Sequence, residues 1–148
     1  MTIVESLQYL VNESRIKLYA YVLMPNHVHF VWEQFDKPEI KETAKGSFMK
    51  FTGHTFKKML RGQPAELAKY LSGSIDRNYN FWQRDALPIS LYSREISEQK
   101  IEYIHNNPLQ EHWNLCKEPE DYRFSSARFY KHGHDEFNML THYIEVYR

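Results

Sequence analysis

Apolar side chains recur at positions 3, 4, 7, 10 and 11 of IVESLQYLVNE, the spacing of one helical face. IKLYAYVL (16–23) is β-branched and aromatic and predicts a strand. MPN turns the chain, and HVHFVWE (27–33) predicts a second strand, antiparallel to the first. Side chains alternate faces along a strand, so His27, His29 and Val31 share one face and Val28, Phe30 and Trp32 the other. The second set is the natural core face. Residues 38–61 predict a helix, with Gly46 or Gly53 as candidate breaks. On its wheel Lys50, His54, Lys57 and Arg61 fall on one side, and Phe48, Phe51, Phe56 and Met59 on the other. Residues 62–78 predict a loop with a short helix, and NFWQ and PISLYS two extended pieces around Asp85. Ser93 is placed to cap a helix running to about Asn107, which Pro108 ends. The section from DYRFSSARFY onward shows no clear period. Two strands with a helix before them and helices after them predict an α+β domain, its helices on one face of an antiparallel sheet.

At 148 residues the chain fits one domain, residues 1–148, large enough to bury a core without staples. Its single cysteine, Cys116, excludes an internal disulfide and fits a reducing, cytoplasmic setting. No apolar run approaches a membrane span, so no membrane partner is expected. Net charge is zero, but its distribution is uneven. From Thr43 to Ala65 there is no acid, while Lys45, Lys50, Lys57, Lys58 and Arg61 are basic. A neutral protein with such a stripe can bind a polyanion there.

Two imidazoles on one strand face, straight after a Pro-Asn break, need a partner. An isolated His-x-His pair is weak evidence for metal. The second piece is KIEYIHNNP (100–108), where Tyr103 and Asn107 lie four apart and so share a helix face. Taken singly, Tyr103 reads as an amphipathic core tyrosine and Asn107 as a helix C-terminal residue.

MPNHVHFVW, FWQRDALPI, YIHNNP and EDYRFSSARFY, in this order and at these distances, resemble the REP-associated tyrosine transposases. These belong to the single-tyrosine HUH superfamily, named for its His-hydrophobe-His pair. The resemblance runs from about Glu5 to Tyr130. It implies a ferredoxin-like fold with the histidine pair on the central part of the sheet. It implies that His27 and His29 bind a divalent metal, with Asn107 as a third, amide ligand and Tyr103 as nucleophile. The substrate would be single-stranded DNA beside an imperfect hairpin.

The chemistry accounts for these residue types. Neutral ligands leave the ion its charge for the substrate, and oxygen-rich remaining positions suit Mg²⁺ or Mn²⁺. A phosphotyrosine keeps the bond energy for rejoining, so no ATP is needed, and no G-x-x-x-x-G-K-[ST] loop is present. Lys50, Lys57, Lys58 and Arg61 would follow the DNA backbone. Trp82, beside Gln83 in the family-like FWQ, either stacks on a base or belongs to the core. His105 has a structural or DNA-contacting role. Ser125 and Ser126 would cap backbone or touch phosphate. The chain departs from the family pattern in one respect: no F-T-x-x-T strand precedes the first helix. Another segment, a strand from a second chain, or pairing of two chains would fill that slot, and a homodimer is expected. The competing readings are a hairpin-DNA-binding module that does not cut, and an unrelated α+β protein with structural histidines.

Overall fold

The computed structural model describes every residue except 74, 76–77 and 83–89. It is an α+β arrangement built on one antiparallel strand pair. Helix α1 spans Thr2–Asn12 and buries Val4, Leu7 and Leu10, the residues its apolar spacing singles out. Ser14, with φ +53°, turns the chain into strand β1, Ile16–Leu23. Strand β2 follows at Val28–Gln34. The pair runs from Ile16 opposite Gln34 to Leu23 opposite Val28, with a bulge between Leu18 and Ala20. The bulge adds Tyr19 to one strand only, and every residue of β1 from Leu18 to Val22 is buried.

Helix α2 is Ala44–Met59, shorter at its start than the predicted 38–61 and unbroken at both glycines. Its true start is Thr43, whose hydroxyl accepts the Gly46 amide at 3.1 Å. A side chain at Gly46 would stand 3.2 Å from that same hydroxyl, so the cap and the glycine belong together. Helix α3 is a short turn at Pro64–Ala68. Helix α4, Arg94–Asn106, starts at the expected cap, with the Ser93 hydroxyl accepting the Ile96 amide at 3.3 Å. A 3-10 turn, Asn107–Leu109, then carries Pro108. Helix α5 is Ala127–His132 and ends on Gly133 at φ +70°. Of the two extended pieces expected around Asp85, residues 83, 88 and 89 lie outside the described residues, and residues 80–82 and 90–93 form no strand, which corrects that expectation.

The helices do not share one face, which corrects the expectation. Helices α1 and α2 cover the face of Leu18, Tyr21, Phe30 and Trp32, with Leu7, Leu10, Phe48 and Met139 in the same cluster. Helix α4 covers the opposite face, where Ile104 meets Val22, Met24 and Val31. Strand β1 is buried on both sides, and an apolar strand of that kind needs a layer on each.

The two sheet edges differ. The outer edge of β1 is closed by the C-terminal section. The Leu23 amide donates to Phe124 O at 2.8 Å, and the Ser126 amide to Tyr21 O at 3.0 Å. Farther along, the Thr141 amide donates to Leu18 O at 2.9 Å. The outer edge of β2 has no strand partner among the described residues. Bonds from Met24 N–H to His27 O (2.8 Å) and from Phe35 N–H to Arg15 O (2.9 Å) fix the phase of the ladder. Odd-numbered residues of β2 therefore face β1, and the backbone groups of Val28, Phe30 and Trp32 point outward. Among the described residues no strand pairs with them.

Candidate active site

The face of β2 opposite the aromatic core carries the two histidines. Strand alternation puts them there, and the Pro25-Asn26 turn sets the first at the strand mouth. The rings of His27 and His29 meet edge to face with centroids 5.0 Å apart. Helix α4 crosses above them. Ile101, Ile104 and His105 form its buried side, and this sets the rotation of the helix. Tyr103 is thereby turned to the margin of the site, 51% exposed. Its ring lies 5.7 Å from that of His29, again edge to face. Asn107, just past the helix end, is buried at 2% exposure, and its Oδ1 stands 3.2 Å from His27 Nε2. Two imidazoles from the sheet, an amide from a distant turn and an accessible phenol thus converge.

The polar atoms of this cluster fit a cation. The Nδ1 of His27 is 2.7 Å from Asn26 Oδ1, which can only accept a hydrogen bond. In the tautomer that donates to Asn26, the ring proton is on Nδ1. In that tautomer the Nε2 lone pair and the Asn107 carbonyl oxygen stand 3.2 Å apart, both as electron-pair donors. A cation bound by both would be held by the two lone pairs. Adjacent ligands of an octahedral ion, each at about 2.1 Å, stand about 3 Å apart, close to the spacing seen. A histidine ligand whose other nitrogen donates to an oxygen is the usual arrangement at metal sites. Among the described residues no three His, Cys, Asp or Glu side chains gather, so an amide is the third donor on offer. His29 is held below its ordinary imidazole value by burial and then by the neighbouring His27. Burial thus favours its neutral ring, which has a lone pair to give.

Other candidates have different places. His105, two residues after Tyr103, points away from the site and is buried, with Nε2 2.8 Å from the Ser126 hydroxyl oxygen. Ser126 Oγ also accepts the Tyr21 amide at 3.0 Å. His105 thus ties α4 to the C-terminal section and to β1, and it has no ring surface to offer DNA. Burial pushes its pKa down to about 4. Ser125 Oγ accepts the Ala127 amide at 3.1 Å, so both serines bind backbone, not phosphate. Trp82 belongs to the core: its Nε1 donates to Thr52 Oγ1 at 2.8 Å and its ring packs on Phe48 at 5.5 Å. Of the two roles open to Trp82, these contacts favour packing, with the ring partly buried against the core. Gln83 lies outside the described residues.

The basic stripe divides. Lys50, Phe51, His54 and Lys58 line one open groove on α2. Lys57 leaves the stripe and lies over the Tyr79 ring, 5.0 Å from its centroid. Arg61 lies past the helix end, exposed. Phe51 and Met59, expected on the buried side, are 50% and 64% exposed.

Two contributors have no separate sequence reading. Asn26 reads as a turn residue, though its place beside His27 is the signal that would find it. Trp113, its ring 5.8 Å from that of His27, sits in an irregular segment without any periodic cue. No helix among the described residues is long and apolar enough to cross a membrane. Comparison with protein-family profiles, with curated proteins and with solved structures finds no match to this chain.

Proposed function

We propose that this protein is a metal-dependent DNA strand transferase of the REP-associated tyrosine transposase kind, on a ferredoxin-like plan. The observation that carries the reading is a run of contacts: His29 lies 5.0 Å from His27 and 5.7 Å from Tyr103 between ring centroids, and Asn107 Oδ1 lies 3.2 Å from His27 Nε2. His27, His29 and Asn107 would hold Mg²⁺ or Mn²⁺. Bound there, such an ion would draw charge from a non-bridging phosphate oxygen and ease attack on an anionic ester. His27 and His29 bring neutral donors, and Asn26 keeps the His27 tautomer that aims Nε2 inward. Tyr103 Oη attacks the phosphorus of single-stranded DNA next to a hairpin. One bond forms between the phenolic oxygen and phosphorus, and the bond from phosphorus to the departing sugar oxygen breaks. The phenolic proton ends on that oxygen, which leaves as a free hydroxyl. Reversal by another strand's hydroxyl rejoins the DNA without ATP. The exposed position of Tyr103 suits a nucleophile that must meet a large substrate. Exposed Lys50, Lys58 and Arg61 supply charge for the DNA backbone.

The outward backbone groups of Val28, Phe30 and Trp32 favour a second element in the reading. Antiparallel pairing of two β2 edges would satisfy them and make a homodimer. The same open edge beside the histidines is also what favours the alternative, a module that binds hairpin DNA without cutting it.

The test is incubation with hairpin-flanked single-stranded DNA and Mn²⁺, read on a denaturing gel. A covalent protein–DNA adduct that disappears in Tyr103→Phe is expected. Tight binding with no adduct would transfer support to the non-cutting module, and absence of both binding and metal uptake would sink both readings.

A further inference from the structure

We infer that the groove on α2 is a base-stacking site for single-stranded nucleic acid, with Phe51 as its platform and Lys50, His54 and Lys58 as its phosphate-facing rim. This rests on the reading of the protein as a single-strand DNA enzyme and adds a stacking residue to the Lys50 and Lys58 surface, away from the histidines. Phe51 is half exposed, whereas Phe48 on the same helix is 3% exposed in the core. Its neighbours on the same face are not apolar. Lys50, His54 and Lys58 surround it in an open groove of about 400 Å³. All three are exposed. From Lys50 to Lys58 the helix rises about 12 Å, enough to set positive groups on both sides of one stacked base.

The charge pattern identifies the occupant. A flat apolar ring inside a cationic rim suits a polyanion that also presents flat faces. Single-stranded DNA or RNA is such a ligand, because every unpaired base has an open π-face. A duplex hides those faces and leaves the ring without a partner. Among the described residues the only acid lining the groove is Glu42, which pairs with Lys50 at 3.6 Å at one end. No other acid occurs between Thr43 and Ala65. Lys57, turned over Tyr79, contributes nothing to this groove.

The test uses the full chain carrying Tyr103→Phe, so that strand cleavage cannot affect the result. Its binding to a short oligothymidylate with one internal 2-aminopurine is read by fluorescence and by salt titration. Phe51→Ala should weaken binding at least about fivefold and reduce the change in 2-aminopurine emission, and Phe51→Trp should restore both. Lys58→Gln should lower the slope of log affinity against log salt by about 0.7. Phe51 is exposed, so these changes leave the fold intact. Equal affinity of wild type and Phe51→Ala would overturn the proposal. So would equal affinity for a duplex of the same length, or Phe51-dependent binding to anionic lipid vesicles in place of the oligonucleotide. Loss of the covalent adduct alone bears on Tyr103 and the histidines, not on this groove.

Discussion

Acidification from pH 7.5 to pH 5 should remove about 2 kcal/mol of folding stability through His105 alone. Its imidazole is 9% exposed, bonded to Ser126, and has its pKa pushed from 6.5 down to about 4 by burial. In the unfolded chain the ring takes a proton near pH 6.5, while in the folded chain it does so only near pH 4. Between those values the unfolded state holds the extra proton, so stability falls as pH falls. The gap, at 1.36 kcal/mol per pH unit, sets a ceiling of about 3 kcal/mol, of which about 2 is lost by pH 5. Urea unfolding at several pH values measures it, with His105→Gln as the comparison. The variant's amide can still reach Ser126 but cannot titrate. Wild type should lose stability faster than the variant on going from pH 7 to pH 5. His29, held low by burial, adds a loss of the same sign to both proteins and cancels in the difference. Parallel pH curves for the two proteins would show that His105 is not buried as a neutral group.

Further outcomes follow from other contacts. Leu18→Ala, at a position with no exposed surface, should cost about 2–5 kcal/mol in thermal or urea unfolding. Ser93→Ala removes the α4 cap and should cost about 1 kcal/mol, with the amide exchange of α4 rising at its first turn. Thr52→Val leaves the Trp82 indole N–H without its acceptor and should cost about 1–3 kcal/mol, read by unfolding followed through tryptophan fluorescence. Asn107→Ala should weaken Mn²⁺ binding, measured calorimetrically, by at least about tenfold without unfolding the chain.

Local chemistry made much of this fold legible. Helix α1 came from its apolar spacing, β1 and β2 from β-branched and aromatic runs around Pro25-Asn26, and α4 from the Ser93 cap and Pro108. Strand alternation alone separated His27 and His29 from Phe30 and Trp32, and helix spacing alone put Tyr103 and Asn107 on one side. Their meeting over the sheet is long-range and rested on the family resemblance. What stayed hidden is also long-range. Ser126 closes the edge of β1 more than a hundred residues away, and nothing periodic announces that. The bulge at Tyr19 redistributes the faces of β1, so simple alternation misses its burial on both sides. That double burial is what requires α4 opposite α1 and α2. On α2, a wheel assigns Phe51 to the core by its hydrophobicity and Lys57 to the solvent by its charge. In the structure Phe51 is instead half exposed beside Lys50, His54 and Lys58, and Lys57 lies over the Tyr79 ring.

The central claim is that one divalent ion sits between β2 and the end of α4. Anomalous diffraction from crystals soaked in Mn²⁺ tests it most directly. The account predicts a single peak about 2.2 Å from His27 Nε2, an imidazole nitrogen of His29 and Asn107 Oδ1, with the Tyr103 phenol beside it. A peak elsewhere, or none, with the Asn107 amide nitrogen turned to donate to His27, would contradict it.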